Sequence, residues 1–257
     1  MKIKSTETPT FKAMVNHVKT TIESRTIGSI LGKPGVGKSH LGHMFAASDP
    51  NCVFIEIGFS RLKSDTQLWR LLHNEVLGRG YHITHRSANS MRRDVEEFLN
   101  SCPDLWLWFD EIQRAEPEII LSLLPLNTAF KGSNTPIILS GNREYWTGRG
   151  ANAFDVDQIS SRVRNRVLNI ESASKRDFID IAASNGVEGV DAYDYIEAIH
   201  TDTPDLRRLI DLLVQARSIL SQGPLKFDVL KLATSQLPGF DVGKGVFKIS
   251  RTLRNTG

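Results

Sequence analysis

Gly32-Lys33-Pro34-Gly35-Val36-Gly37-Lys38-Ser39 satisfies the spacing G-x-x-x-x-G-K-[ST] in full. The chemistry of that pattern is the cradling of a nucleoside triphosphate. Glycines let the backbone wrap an anion, so that several N–H groups point inward at the phosphates. Lys38 would reach the β- and γ-phosphates, and the Ser39 hydroxyl would ligate Mg²⁺. Gly32, Pro34, Gly35, Val36, Gly37, Lys38, Ser39 and His40 therefore form the candidate cradle, with ATP and Mg²⁺ as its expected occupants.

Further along, the apolar run Leu105-Trp106-Leu107-Trp108-Phe109 ends at Asp110-Glu111. Unbroken apolarity marks a central parallel strand covered on both faces. At the end of such a strand, Asp110 would hold the Mg²⁺ shell through water, and Glu111 would polarise the attacking water. Asn142 closes the run Pro136–Gly141 and would lie beside the Asp-Glu pair, where it could hold that water or sense the γ-phosphate. Arg162, Arg164 and Arg166 lie beyond that strand. An arginine offered to a neighbouring subunit stabilises transition-state charge and is worth about 10³–10⁵ in rate. Arg207 opens a later helix and is a further candidate for contact with the nucleotide.

The elements that must position these residues follow from the apolar pattern. Phe11, Met14, Val15, Val18 and Ile22 are spaced as a helix. Thr26–Leu31 reads as a strand entering the phosphate loop, and Ser39–Ala47 as the helix leaving it, its N-terminus toward the phosphates. Cys52–Ile57 reads as a strand, Thr66–Leu77 as a helix ended by Gly78, Tyr81–Ser90 as a loop, and Met91–Leu99 as a helix. Pro117–Leu124 is a helix opened by proline, and Pro136–Asn142 a strand. Strands alternating with helices give a parallel α/β sheet. After about residue 171 only helices are expected: Ser174–Ser184, Ala192–His200, Asp205–Ser221 and Phe227–Leu237. The expected organisation is an N-terminal helix over 1–25, an α/β core over 26–171, a small all-helical domain over 172–238 and a basic tail over 239–257.

Composition sets the class. With 257 residues, 40% hydrophobic and 24% charged, the chain is typical of a globular protein. It contains no apolar run near the ~20 residues that a membrane span needs. Its start lacks the apolar segment of a secretory signal. Cys52 and Cys102 make neither a disulfide framework nor a zinc quartet. A cytoplasmic protein without a membrane partner is expected. The net charge of +3 permits nucleic-acid binding without requiring it. Basic residues gather at 79–93, at 143–166 and in the tail.

The order of these motifs resembles that of an AAA+ ATPase: phosphate loop, Asp-Glu strand, Asn strand, arginine cluster, helical lid. Leu139-Ser140-Gly141-Asn142-Arg143, the Gly/Arg/Asn-rich stretch Thr147–Asn152 and Ser161-Arg162-Val163-Arg164-Asn165-Arg166 narrow this to a resemblance to the MuB/TnsC/TniB branch of transposition regulators. The tail from Lys248 to Asn255 is similar as well. The resemblance implies an ATPase that assembles as a filament on duplex DNA without sequence preference and recruits a cognate transposase. It places DNA contacts on Arg79, His85, Arg86, Arg92 and Arg93, tracking phosphates from the inner face of the assembly. The short stretch before the first helix leaves no room for the N-terminal DNA-binding appendage of MuB. A helicase loader or phage replication accessory shares the core motifs and is the alternative within ATPases. An ATP-gated interaction scaffold without a DNA role is the alternative of another class.

Overall fold

The computed structural model describes residues 3–58, 61–78, 87–127, 134–142, 159, 161, 163, 166–238 and 240. The described chain forms two compact units. One comprises Ala13–Lys33 and Gly37–Glu171; the other comprises Met1–Lys12, Pro34–Val36 and Ser172–Gly257.

The first unit is built on a parallel sheet of five strands: β1 (Ile27–Gly32), β2 (Cys52–Glu56), β3 (Trp106–Asp110), β4 (Ile137–Gly141) and β5 (Val167–Ile170). Their order is β2-β3-β4-β1-β5. From β1 the chain crosses to the far edge and returns strand by strand to β4; it then passes over β1 to reach β5. The direction of winding thus changes beside β1, and ligands of such sheets bind at the carboxyl ends of the strands at that point. Every residue of β1, β3 and β4 is buried, which is why their sequences read as continuous apolar runs.

Helices α1 (Pro9–Glu23), α2 (Lys38–Ser48), α3 (Asp65–Leu77), α4 (Ala88–Ser101) and α5 (Pro117–Leu121) accompany the sheet. Helices α3 and α4 bury Leu68, Trp69, Leu72, Met91, Val95 and Leu99 in the core around β3 and β4. Trp106 and Trp108 are fully buried beneath Phe45, so they are core residues, as their place in an apolar strand implies.

Several element ends differ from the sequence reading. Helix α4 begins at Ala88 rather than Met91, because the Ser87 side chain accepts the Ser90 N–H at 3.3 Å and caps it. The Pro117 helix stops at Leu121, and a separate 3₁₀ turn follows over Leu124–Leu126. Strand β5 has no counterpart in the sequence reading. Val167–Ile170 is too short to announce itself, and what makes it a strand is pairing with β1, from Ser29↔Val167 to Gly32↔Ile170.

The second unit packs α6 (Lys175–Ser184), α7 (Val190–Asp202), α8 (Leu206–Ile219) and α9 (Phe227–Ser235) around Phe178, Ile196, Leu209, Leu213 and Leu230. Residues 241–257 of the tail lie outside the described residues. Asp177 ties the N-terminal segment into this unit. It completes a capping box with Ser174 at the start of α6. It also accepts the Thr10 N–H at 3.0 Å and the Thr10 hydroxyl. Burial alone would raise its carboxyl; the hydrogen bonds from Thr10, Ser174 and Thr8 outweigh it and hold the carboxyl below its usual value of 3.8.

A carboxyl lowered in the folded state adds stability above its unfolded value, and that stability is lost as pH falls through the folded one. Asp177→Asn is therefore expected to cost about 1–3 kcal/mol at neutral pH and to flatten the acid limb of the stability curve. Thermal unfolding of both proteins across acid and neutral pH checks this. Equal midpoints at every pH would contradict it.

Candidate active site

The phosphate loop leaves β1 at its carboxyl end and enters α2 through Gly37. Gly35 and Gly37 have φ of 85° and 98°, which side-chain-bearing residues rarely adopt. No side chain caps α2, so its first amides keep their capacity for an anion. The Lys38 side chain is buried and folds back onto the loop, its Nζ donating to the carbonyls of Gly32 at 2.8 Å and Lys33 at 3.0 Å. Ser39 is half-buried on the first turn of α2, and His40 is exposed. Pro34, Gly35 and Val36 form the tip of the loop and are counted with the helical unit. There the Leu206 N–H donates to the Gly35 carbonyl at 3.2 Å.

Asp110 ends β3, next to β4, with 1% of its surface exposed. Its Oδ1 accepts the Ser140 hydroxyl at 2.6 Å. Ser140 in turn accepts the Trp108 indole N–H at 2.8 Å. The Oδ2 of Asp110 is buried with no hydrogen-bond partner among the described residues.

Glu111 follows in the left-handed region, at φ 61°, so the chain turns sharply after the strand. Its Oε2 accepts the Gln113 amide at 2.7 Å and pairs with the Arg114 guanidinium at 3.1 Å. Gln113 also accepts the Asn142 backbone N–H through its Oε1, at 3.1 Å. One side chain thus joins the end of β3 to the end of β4. Asp110, Glu111 and Asn142 come together as the sequence reading expects; Ser140, Gln113 and Arg114 are additions. Ser140 and Gln113 are ordinary polar residues, and only the register of two strands distant in sequence places them here.

The arginines divide. Arg162 and Arg164 lie outside the described residues. Arg166 precedes β5 at the amino-terminal edge of the sheet, its carbonyl accepting the Ser29 N–H at 2.8 Å. That is the edge opposite the phosphate loop, which leaves β1 after Gly32. Arg207 is exposed on the first turn of α8, and its N–H donates to the Asp205 cap at 2.8 Å. Of the expected DNA contacts, Arg79, His85 and Arg86 lie outside the described residues. Arg93 is exposed on α4. Arg92 pairs with Glu96 at 2.8 Å and stands over the Trp69 ring at 5.5 Å. Burial, with Asp49 nearby, pushes the Cys52 thiol up to about 12, so it is no nucleophile.

At Gly141 the Gln113 and Ile112 side chains occupy the space that a side chain would need. A Cβ there would stand 2.5 Å from the Gln113 Oε1 and 2.6 Å from the Ile112 Cγ1. Gly141→Ala is expected to displace Gln113, cost about 1–3 kcal/mol and change turnover through Glu111. Denaturant unfolding and steady-state ATPase assays check this. A variant equal to the parent in both would contradict the bridge.

The AAA domain family model matches residues 20–147. In fold the chain is similar to the Cdc6p protein of Pyrobaculum aerophilum, at 15% identity and a TM-score of 0.67, over 91% of this chain and 69% of that one. It is similar to the Aeropyrum pernix ORC2 protein in its ADP form, at 15% identity and a TM-score of 0.63, over 92% and 69%. The Aeropyrum pernix ORC1 protein in complex with DNA follows at 14% and 0.58, over 86% and 64%. No curated protein matches the sequence. A phosphate loop on β1, an Asp-Glu pair at the end of β3 with β4 between the two, and the strand order of the sheet agree with the domain match: the core of this chain is an AAA+ P-loop NTPase, and the protein is an ATPase.

Proposed function

We propose that this protein is a DNA-associated AAA+ ATPase of the replication-initiator and helicase-loader kind, which self-assembles with ATP bound between subunits. The observation that carries the ATPase part is the convergence of Lys38, Asp110, Glu111 and Asn142 at the carboxyl ends of β1, β3 and β4. The DNA part is supported by the fold likeness to Cdc6p and the ORC proteins, one of them solved on DNA, and by the basic stretch 79–93.

The residues fit ATP with Mg²⁺. Among the described residues no group of three or more His, Cys, Asp or Glu forms a metal cage. Mg²⁺ commonly needs none, because one or two carboxylates and the substrate phosphates suffice. The orphan Oδ2 of Asp110 and the Ser39 hydroxyl supply hard oxygens of that kind. When bound, Mg²⁺ neutralises charge on the β- and γ-phosphate oxygens.

Lys38 exchanges the Gly32 and Lys33 carbonyls for phosphate oxygens. The α2 amides hold the phosphates in line. Glu111 accepts hydrogen bonds from Gln113 and Arg114 in the structure, and in the working site it turns to the attacking water. That water attacks the γ-phosphorus, the bond to the β–γ bridging oxygen breaks, and ADP and phosphate leave. Asn142 steadies the water. Arg162, Arg164 or Arg166 reaches the site of the next subunit, a role for which the far-edge position of Arg166 is suited.

A second reading, regulation of transposition with a cognate transposase as partner, is favoured by the motif from Gly141-Asn142-Arg143 through Ser161–Arg166. The fold comparisons give it less support than the initiator and loader reading. Strand preference separates the two.

The test is DNA binding with ATP, on single-stranded and duplex DNA, against salt. Binding is expected to need ATP and to fall steeply with salt. Single-strand preference supports the loader reading, and duplex preference the transposition reading. Glu111→Gln should keep ATP binding, lose turnover and prolong the DNA complexes. No binding to either DNA would overturn both readings in favour of an interaction scaffold.

A further inference from the structure

We infer that Ser140 and Trp108 are positioning residues for Asp110, assigning one carboxylate oxygen to the protein and reserving the other for the metal. The inference rests on the nucleotide–magnesium reading above. It starts from the strands. Trp108 and Asp110 are two residues apart on β3, so their side chains share a face. Ser140 lies on β4, one position beyond the Phe109↔Leu139 pair, which sets it beside Asp110.

The direction of the chain of hydrogen bonds is forced. An indole N–H can only donate, so Ser140 must accept from Trp108 at 2.8 Å. A hydroxyl has one proton. It goes to Asp110 Oδ1 at 2.6 Å rather than to the Phe109 carbonyl at 3.3 Å. Trp108 and Ser140 have no surface exposed, so water does not compete for these bonds. Asp110 is thereby tied through Oδ1, and its Oδ2 is left buried with no hydrogen-bond partner among the described residues. A phenylalanine at 108 would free the hydroxyl to turn. An alanine at 140 would free the carboxylate.

The test compares ATP affinity in Mg²⁺ with ATP affinity in EDTA. The parent protein should bind more tightly with Mg²⁺. Ser140→Ala should lose that metal-dependent gain by about tenfold or more, as loss of a group orienting a metal ligand does, while its affinity in EDTA stays that of the parent. Ser140→Thr, which keeps the hydroxyl, should restore the gain. If Ser140→Ala folds poorly, the double variant Trp108→Phe/Ser140→Ala removes the stranded indole N–H and carries the same expectation. A full metal-dependent gain in the alanine variants would overturn the positioning role alone. A parent protein indifferent to Mg²⁺ would overturn the magnesium reading and the inference with it.

Discussion

A carboxylate with 1% of its surface exposed governs the design of this core. Burying a charge without partners costs several kcal/mol, and a protein that spends so much on Asp110 must recover it locally. Part is recovered through the Trp108–Ser140 chain, which reaches one oxygen only. The remainder is left to whatever occupies the carboxyl end of the sheet. The parallel arrangement makes this possible. It brings the ends of β1, β3 and β4 to one side, so the phosphate loop, the Asp-Glu pair and Asn142 lie on the same rim.

The tripeptide Ser140-Gly141-Asn142 then has three separate jobs. Ser140 orients Asp110. Gly141 makes room for the Gln113 side chain and for Ile112. Asn142 is anchored through its backbone to Gln113, which also holds Glu111. The end of β4 is therefore linked both to Asp110, which ends β3, and to Glu111, which follows it. The tight turn at Glu111, in the left-handed region, sends Gln113 and Arg114 back toward Glu111 itself. In this arrangement Glu111, the base of the proposed reaction, is engaged by Gln113 and Arg114.

Much of this was legible in the sequence because the signals are local. The phosphate loop is a contiguous pattern, and β1, β3 and β4 are buried on both faces, so apolarity alone marks them. The charged residues at the strand ends follow directly. What was not legible depends on contacts across the sheet. Ser140 and Gln113 acquire their roles from the β3–β4 register, and Val167–Ile170 becomes a strand only by pairing with β1. Helix α4 began earlier than the apolar spacing implied because Ser87 supplies a cap, a signal weaker than periodicity. The resemblance to transposition regulators drew on motifs from Leu139 to Arg166 and on the tail, whereas the likeness to Cdc6p and the ORC proteins is one of fold, over 86–92% of the chain.

Every role assigned here requires nucleotide phosphates at the end of β1, and Lys38 is the one cation of the loop that turns inward onto it. The most direct measurement is ATP titration of the parent protein and of Lys38→Ala by fluorescence or calorimetry. Removal of this charge should abolish tight ATP binding and leave the fold intact by circular dichroism, since water can satisfy the Gly32 and Lys33 carbonyls that the side chain now holds. A folded Lys38→Ala protein that binds ATP as tightly as its parent would place the nucleotide elsewhere and contradict the account.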